Sequence, residues 1–236
     1  MRVITEIELR EQFKKEEFTS FCLPEGAKLT PAARQFLNDR RIKLISSPQT
    51  QAASLIPSQT PEGKKPEHFT HLWGSTLTPK THPRIKLRGK LDSFQALLIA
   101  VIIEVNSQGY LELAQDLKEL LNYVRQILAA EVKGEDLPPL TWRGYSDESI
   151  HKFSHNPQEQ FGIGHLLPDP EQGKIMAALN CLRTKIREVE LCAVETFYRG
   201  ELVEREDIIK SLNRLSSLIY VLMLKFSSGG YKIGAS

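Results

Sequence analysis

The chain has 236 residues, 41% hydrophobic and 25% charged, with a formal net charge of +2, as expected of a soluble globular protein with one large domain, or one medium domain and a small appendage. So weak a charge, without any long Lys/Arg block, excludes a nucleic-acid footprint. Cys22, Cys181 and Cys192 follow no CxxC spacing, the charged N-terminus lacks an apolar signal region, and the longest apolar run, "ALLIAVII" (96–103), is too short for a bilayer, so a cytoplasmic protein with thiols and no membrane span is expected.

Residues 1–45 read as a small α/β head. "ITEIELREQF" suggests a strand entering a helix, and a second strand leads to a turn at Pro24-Glu25-Gly26. A helix should follow, with Thr30 as N-cap, Pro31 in its first turn and Ala33, Phe36 and Leu37 inward, before a further strand. Residues 46–66 are mostly Ser, Pro, Gln, Thr and Gly; with so few apolar groups to offset ordering entropy they read as a flexible linker.

From 67 to 236 the period is helical. Phe94, Leu97, Leu98, Val101, Ile102 and Val105 follow the 3.6 spacing from Asp92 onward, and a second series runs from Leu113 to Leu128. A short helix is expected near Ser146, a long one over 171–199 and a last one from about Glu204 to Phe226, stopped by Gly229-Gly230. Four long apolar faces and no evident sheet after residue 67 make the chain mainly α, a five-helix-type bundle behind the head.

Three stretches of this bundle carry chemistry. "TPKTHPRIKLRGKLDSFQA" (78–96) contains Lys80 and Asp92, the latter read as opening a helix. "LRTKIREVEL" (182–191) sets Arg183, Arg187 and Glu190 at i, i+4 and i+7, in one row beside the core stripe of Leu182, Ile186 and Val189. "SLNRLSSLIYVL" (211–222) puts Asn213 and Arg214 on the polar edge of an apolar helix. Taken singly, each has a plainer reading. The row could be a solvated ion-pair ladder, Asp92 a helix-start residue favoured by the dipole, and Asn213 a buried, satisfied amide.

In this order the three motifs resemble the helical-bundle ATP:cob(I)alamin adenosyltransferases, over about residues 70–226. The wording "THLWGSTLTPKTHPRI" and the "LTPAARQFL" module are similar to the ethanolamine-utilisation branch of that family. The resemblance implies an enzyme in which the reduced cobalt of cobalamin attacks the 5′ carbon of ATP and the polyphosphate leaves. A highly anionic leaving group calls for fixed Arg and Lys charge. Arg187 and Lys80 would hold the polyphosphate, with Glu190 and Asn213 positioning the nucleotide and its Mg²⁺. Arg183, Arg187 and Glu190 form the catalytic row. Asp92 would pair with Arg183 across a subunit boundary, making a homo-oligomer with sites between subunits. The branch further implies the cobalamin-dependent lyase, or its reactivation system, as partner and a bacterial microcompartment as location.

The chain also departs from the family. No Thr-Gly-Asp-x-Gly phosphate loop precedes Lys80, leaving Thr70 and His71 as substitutes, and Ser217 stands where the last-helix motif commonly has Asp. Some members of the branch pair a histidine with a Cys-Cys-x2-Cys cluster; counted from His71, those positions hold Pro83, Arg84 and Leu87. His68, His71 and His82 without thiolates or a fourth ligand do not complete a zinc site. No structural zinc or iron is expected, and these histidines are expected to face solvent or phosphate. The family places an aromatic near a Leu-Pro against the lower corrin face. In "QFGIGHLLPDP" the candidates are Phe161 and His165, the alternative being a phenylalanine that plugs the bundle end. The rival from another class is a non-catalytic nucleotide- and corrinoid-binding scaffold or cargo adapter, which the missing phosphate loop permits.

Overall fold

The computed structural model describes residues 3–15, 18–23, 27–40, 42–46, 65–200 and 202–234. It divides into two compact units, Met1–Pro66 and Glu67–Ser236. The expected turn at Pro24-Glu25-Gly26 and most of the expected linker, residues 47–64, lie outside the described residues.

In the first unit β1 (Val3–Ile4) and α1 (Glu6–Lys15) are followed by β2 (Ser20–Leu23), β3 (Lys28–Leu29), α2 (Pro31–Asp39) and β4 (Lys43–Ser46). β1 pairs parallel with β3, in the register Val3↔Lys28, and β2 pairs parallel with β4, from Ser20↔Lys43 to Leu23↔Ser46. Parallel strands need a crossover rather than a tight turn, and the helices supply it. α2 starts where its residues dictate. Thr30 Oγ1 accepts the Ala33 N–H at 3.1 Å, and Pro31 follows it. Ala33, Phe36 and Leu37 then bury against Ile4 and Leu9.

The second unit opens on a hairpin that periodicity does not reveal: β5 (Phe69–Trp73) antiparallel to β6 (Thr76–Pro79). The register shifts between His71 and Trp73. This bulge breaks the period of two, so that Phe69 and Leu72, three apart, both turn inward. A second departure concerns α3, which spans Pro83–Ser107. Pro83 fills its first turn and His82 Nδ1 caps it, accepting the Arg84 N–H at 3.2 Å. Asp92 therefore does not open the helix; it lies about two and a half turns inside it. The basic run Arg84, Lys86, Arg88, Lys90 hides the start, because only Leu87 and Leu91 mark the inward face there.

The remaining elements are α4 (Leu111–Lys133), α5 (Asp147–His155), α6 (Pro157–Phe161), a 3-10 turn at Pro170–Gln172, α7 (Gly173–Phe197), the strand pair β7 (Tyr198–Arg199) and β8 (Leu202–Val203), and α8 (Glu206–Ser227). Ser146 caps α5 as its sequence suggests, its Oγ accepting the Ser149 N–H. Between α3 and α4, Gly109 is required. Its φ is +81°, and a Cβ there would sit 2.8 Å from Ile233 Cγ2, where the C-terminal segment passes and Gly234 N–H reaches Gly109 O.

α3 packs on α4 and α7, and α8 packs on α7, α4 and α5. The four long helices thus form a ring in the order α3, α4, α8, α7, with α5 added outside α8. Leu87, Leu91, Leu98 and Val105 of α3 are 0% exposed inside it, each such side chain stabilising the fold by about 1.5–3 kcal/mol. The hairpin is tied to one edge of the ring by a buried ion cluster. Glu131 of α4, wholly buried, accepts from Arg84 Nη1 at 3.1 Å and from Arg88 Nε. Arg88 Nη1 in turn donates to Leu72 O of β5 at 3.0 Å, and the Arg84 guanidinium lies 5.0 Å from the Trp73 ring centroid. Two guanidinium groups offset a desolvation penalty that a lone carboxylate could not bear.

Candidate active site

The row on α7 meets the polar edge of α8. Asn213 Nδ2 donates to Glu190 Oε1 at 2.8 Å, and the Arg183 guanidinium lies 5.9 Å from the Tyr220 ring centroid. These two contacts set an antiparallel register that puts the Arg187 position across from Ser216 and Ser217. Arg183 is half-buried, its Nε and Nη2 each donating to Asn180 Oδ1 at 3.3 Å. Arg187 is exposed and, among the described residues, makes no ion pair. The row is therefore not an ion-pair ladder. That pattern belongs to the next face of α7, where Lys185 pairs with Glu188 at 3.0 Å, Glu188 with Lys90 at 3.5 Å, and Glu195 with Lys86 at 3.2 Å.

Behind Asn213 stands a second layer that sequence reading left without a role. Arg214 Nη1 donates to Asn213 Oδ1 at 2.9 Å, which turns the Nδ2 group toward Glu190, and it also meets His151 Nδ1 of α5 at 3.2 Å. Burial and the neighbouring Arg214 and His155 lower the His151 pKa and so favour the neutral ring, whose Nδ1 can accept from Arg214, a group that only donates.

Not every predicted residue reaches this face. Thr70, half-buried, and His71, exposed, stand in β5 opposite Thr78 and Leu77. Lys80 follows β6, its N–H donating to His68 O at 2.8 Å. The hairpin is held by α3 and α4, and the segment that follows it meets the C-terminal end of α7, where Thr196 Oγ1 reaches Pro83 O at 3.4 Å and Arg84 lies 4.9 Å from the Phe197 ring centroid; the row lies about 9–20 Å further back along α7. Among the described residues of one chain, no contact joins Thr70, His71 or Lys80 to Arg187, Glu190 or Asn213. Asp92 is exposed on α3 and does not meet Arg183, whose partners are Asn180 and Tyr220.

Of the corrinoid candidates, His165 is exposed in the connection before α7 and lies against Tyr220, rings 6.5 Å apart and 14° from parallel. Phe161, at the end of α6, is half-buried and lines a cleft of about 440 Å³ with Trp142, Tyr145, Phe153 and Lys225. Tyr220 and Lys225 are five residues apart on α8, about 7.5 Å along its axis, so the two candidates flank one stretch of that helix. Tyr220 was not singled out by sequence reading, although a signal existed: Asn213, Ser217 and Tyr220 repeat on α8 the i, i+4, i+7 spacing of the row on α7.

His82 is neither exposed nor free. It is half-buried and spends Nδ1 on the helix cap, and burial, with Arg84, Arg199 and Arg88 nearby, lowers its affinity for a proton. The unfolded chain therefore binds that proton first as pH falls. The cap's contribution is complete above about pH 6.5 and is lost as pH drops through the lower folded value. His82→Asn keeps an N-cap acceptor without the titration. Between pH 7.5 and 5.5 its unfolding free energy, read from urea melts, should fall less than the wild type's, by up to the value of a cap, about 1 kcal/mol; equal falls would remove His82 from the acid response. Cys181 and Cys192 are free thiols, and burial raises the latter's pKa.

Sequence comparison adds to this geometry. A sequence model of the cobalamin adenosyltransferase family matches residues 61–226, and one of the corrinoid adenosyltransferase EutT N-terminal domain matches residues 3–46. Corrinoid adenosyltransferase EutT of Escherichia coli strain K12 is 35% identical over 246 aligned positions, covering 94% of this chain and 91% of its own. Corrinoid adenosyltransferase EutT of Salmonella typhimurium strain LT2 is 32% identical over the same extent. No solved structure matches the chain.

Proposed function

The chain belongs to the cobalamin adenosyltransferase family, and on that footing we propose that it moves the 5′-deoxyadenosyl group of ATP onto the cobalt of cob(I)alamin, making adenosylcobalamin for the lyase of ethanolamine utilisation. A cobalt–carbon bond forms at C5′ and the C5′–oxygen bond breaks. The electron pair of the broken bond leaves with the polyphosphate, and cobalt(I) becomes cobalt(III). Arg187, and Lys80 from a second subunit, neutralise the charge that develops on the leaving oxygen. Glu190 and Asn213, fixed by Arg214, orient the nucleotide. Asn213 Oδ1 is taken by Arg214, but Glu190 Oε2 has no protein partner among the described residues, and a carboxylate oxygen is a hard donor of the kind Mg²⁺ takes, so nucleotide-bound Mg²⁺ fits beside Glu190. Phe161 and His165 face the corrinoid, and Thr70 and His71 serve the phosphates.

One observation carries this reading. A single α7/α8 face presents Arg187, Glu190 and Asn213 and, about 6 Å from Arg187 and about 10 Å from Glu190 along α7, Arg183 beside the connection that bears His165. Nucleotide and corrinoid candidates thus adjoin, as a direct attack on C5′ requires. That Lys80 and Asp92 are exposed and, among the described residues of one chain, make no contact with the row supports a homo-oligomer with each site shared between subunits. The apolar and small side chains exposed on α3 beyond Asp92, namely Ala96, Ile99, Ala100 and Ile103, would be covered there. No structural zinc or iron belongs to the proposal. The three positions that carry thiolates in some relatives hold Pro83 in the first turn of α3, Arg84 committed to Glu131, and Leu87 in the core. Among the described residues no helix is long and apolar enough to cross a membrane; association with the lyase inside a microcompartment is part of the proposal. The test is anaerobic. Cob(I)alamin, ATP and Mg²⁺ with transition metals chelated should give the adenosylcobalamin spectrum. Binding of both ligands without that spectrum would leave a scaffold or cargo adapter instead.

A further inference from the structure

The connection from Gly162 to Asp169 carries His165 yet belongs to no helix or strand, so something must hold it against the bundle. Its backbone is held by two side chains beyond it, Gln172, which also accepts the Asp169 N–H at 2.9 Å, and Tyr220. Gln172 Nε2 donates to Leu167 O at 3.4 Å, and the Leu166 N–H donates to Tyr220 Oη at 2.8 Å. The same hydroxyl has one proton to give, and His165 Nδ1 is 3.4 Å away. The phenol ring then continues to the other side of the groove, where the Arg183 guanidinium lies 5.9 Å from its centroid. One side chain on α8 thus touches the loop backbone, the loop histidine and the first arginine of the row.

We propose that Tyr220 is a positioning residue that pins the His165-bearing connection to Arg183, keeping the corrinoid-facing loop and the nucleotide-facing row in one geometry. The inference rests on the adenosyltransferase reading above, in which those two parts hold different substrates. The hydroxyl serves the loop backbone, while the ring serves Arg183 and lies beside the His165 ring, so substitution separates the backbone tie from the ring's contacts. Tyr220→Phe keeps the ring and removes both loop bonds. Tyr220→Leu removes the ring as well, while Asn180 still anchors Arg183.

The experiment uses the full chain and two readouts. In amide hydrogen exchange, Tyr220→Phe should accelerate residues 162–168 by about three- to tenfold, the worth of a single hydrogen bond, with the α8 core unchanged. In turnover, it should raise KM for cob(I)alamin by a similar factor and leave KM for ATP unaltered. Tyr220→Leu should raise KM for ATP as well, by about two- to fivefold for the lost cation–π contact. Unchanged exchange in Tyr220→Phe would overturn the proposal. So would equal rises in both KM values together with a lower melting temperature, the mark of general structural support. If the wild type forms no adenosylcobalamin, the functional reading fails by itself, and the exchange result still decides whether Tyr220 holds the loop. Should Tyr220→Leu fail to fold, Tyr220→Phe alone decides.

Discussion

Arg187→Ala should lower kcat for adenosylcobalamin formation by about 10²–10³-fold, the usual consequence of removing one fixed charge or donor from a developing anion. The substitution should leave the fold intact. Arg187 is exposed and, among the described residues, has no ion-pair partner, so its loss strands no buried charge. Lys185 is the control. It sits two residues away on the same helix, is likewise basic and exposed, but faces the α3/α7 groove and pairs with Glu188. Lys185→Ala should stay within about 0.5 kcal/mol of wild type in stability and should turn over normally. Kinetics under saturating ATP and cob(I)alamin, with a urea melt of each variant, make the check. Equal activity of the two variants would detach the row from the chemistry.

The exchange of Asp92 and Arg183 tests where the site is completed. In one chain the two do not meet: Asp92 is exposed on α3, while Arg183 turns to Asn180 and Tyr220 on the α7/α8 face. If they pair between subunits, each becomes buried at the boundary, and breaking one side of such a pair costs about 3–5 kcal/mol. Asp92→Arg and Arg183→Asp singly should then weaken assembly by about 10²–10⁴-fold and lower activity with it. The double exchange should restore assembly in part. Catalysis should recover less, because positive charge moves away from the polyphosphate and from Tyr220. Mixing the two single variants should give hetero-oligomers with matched contacts. Sedimentation and turnover read both effects, and single variants that assemble and react like wild type would place the pair apart.

Much of this architecture was legible in local chemistry. Thr30 before Pro31 and Ser146 before Asp147 mark helix starts because a side-chain oxygen must satisfy free N–H groups there, whatever surrounds them. The apolar faces of α4, α7 and α8 repeat every 3.6 residues, so their inward sides were readable before any packing was known. Two elements were not legible. The β5/β6 hairpin is bulged, which removes the alternation that marks a strand. The first turns of α3 are dominated by basic residues, and their inward side rests on Leu87 and Leu91 alone, so apolar periodicity marks the helix only from Asp92 and not from Pro83.

By itself the sequence determined the helical class, the head, and the alignment of Arg183, Arg187 and Glu190 in one row, since all three follow from backbone periods and capping within a short stretch. Only the tertiary structure decided what that row faces. Helix order around the ring, the register that brings Asn213 to Glu190 and Tyr220 to Arg183, and the separation of Lys80 from both come from how four apolar faces bury one another. A guanidinium on a helix edge reads the same whether it meets a carboxylate, a tyrosine ring or water. The difference lies in the neighbouring helix, which local sequence does not specify.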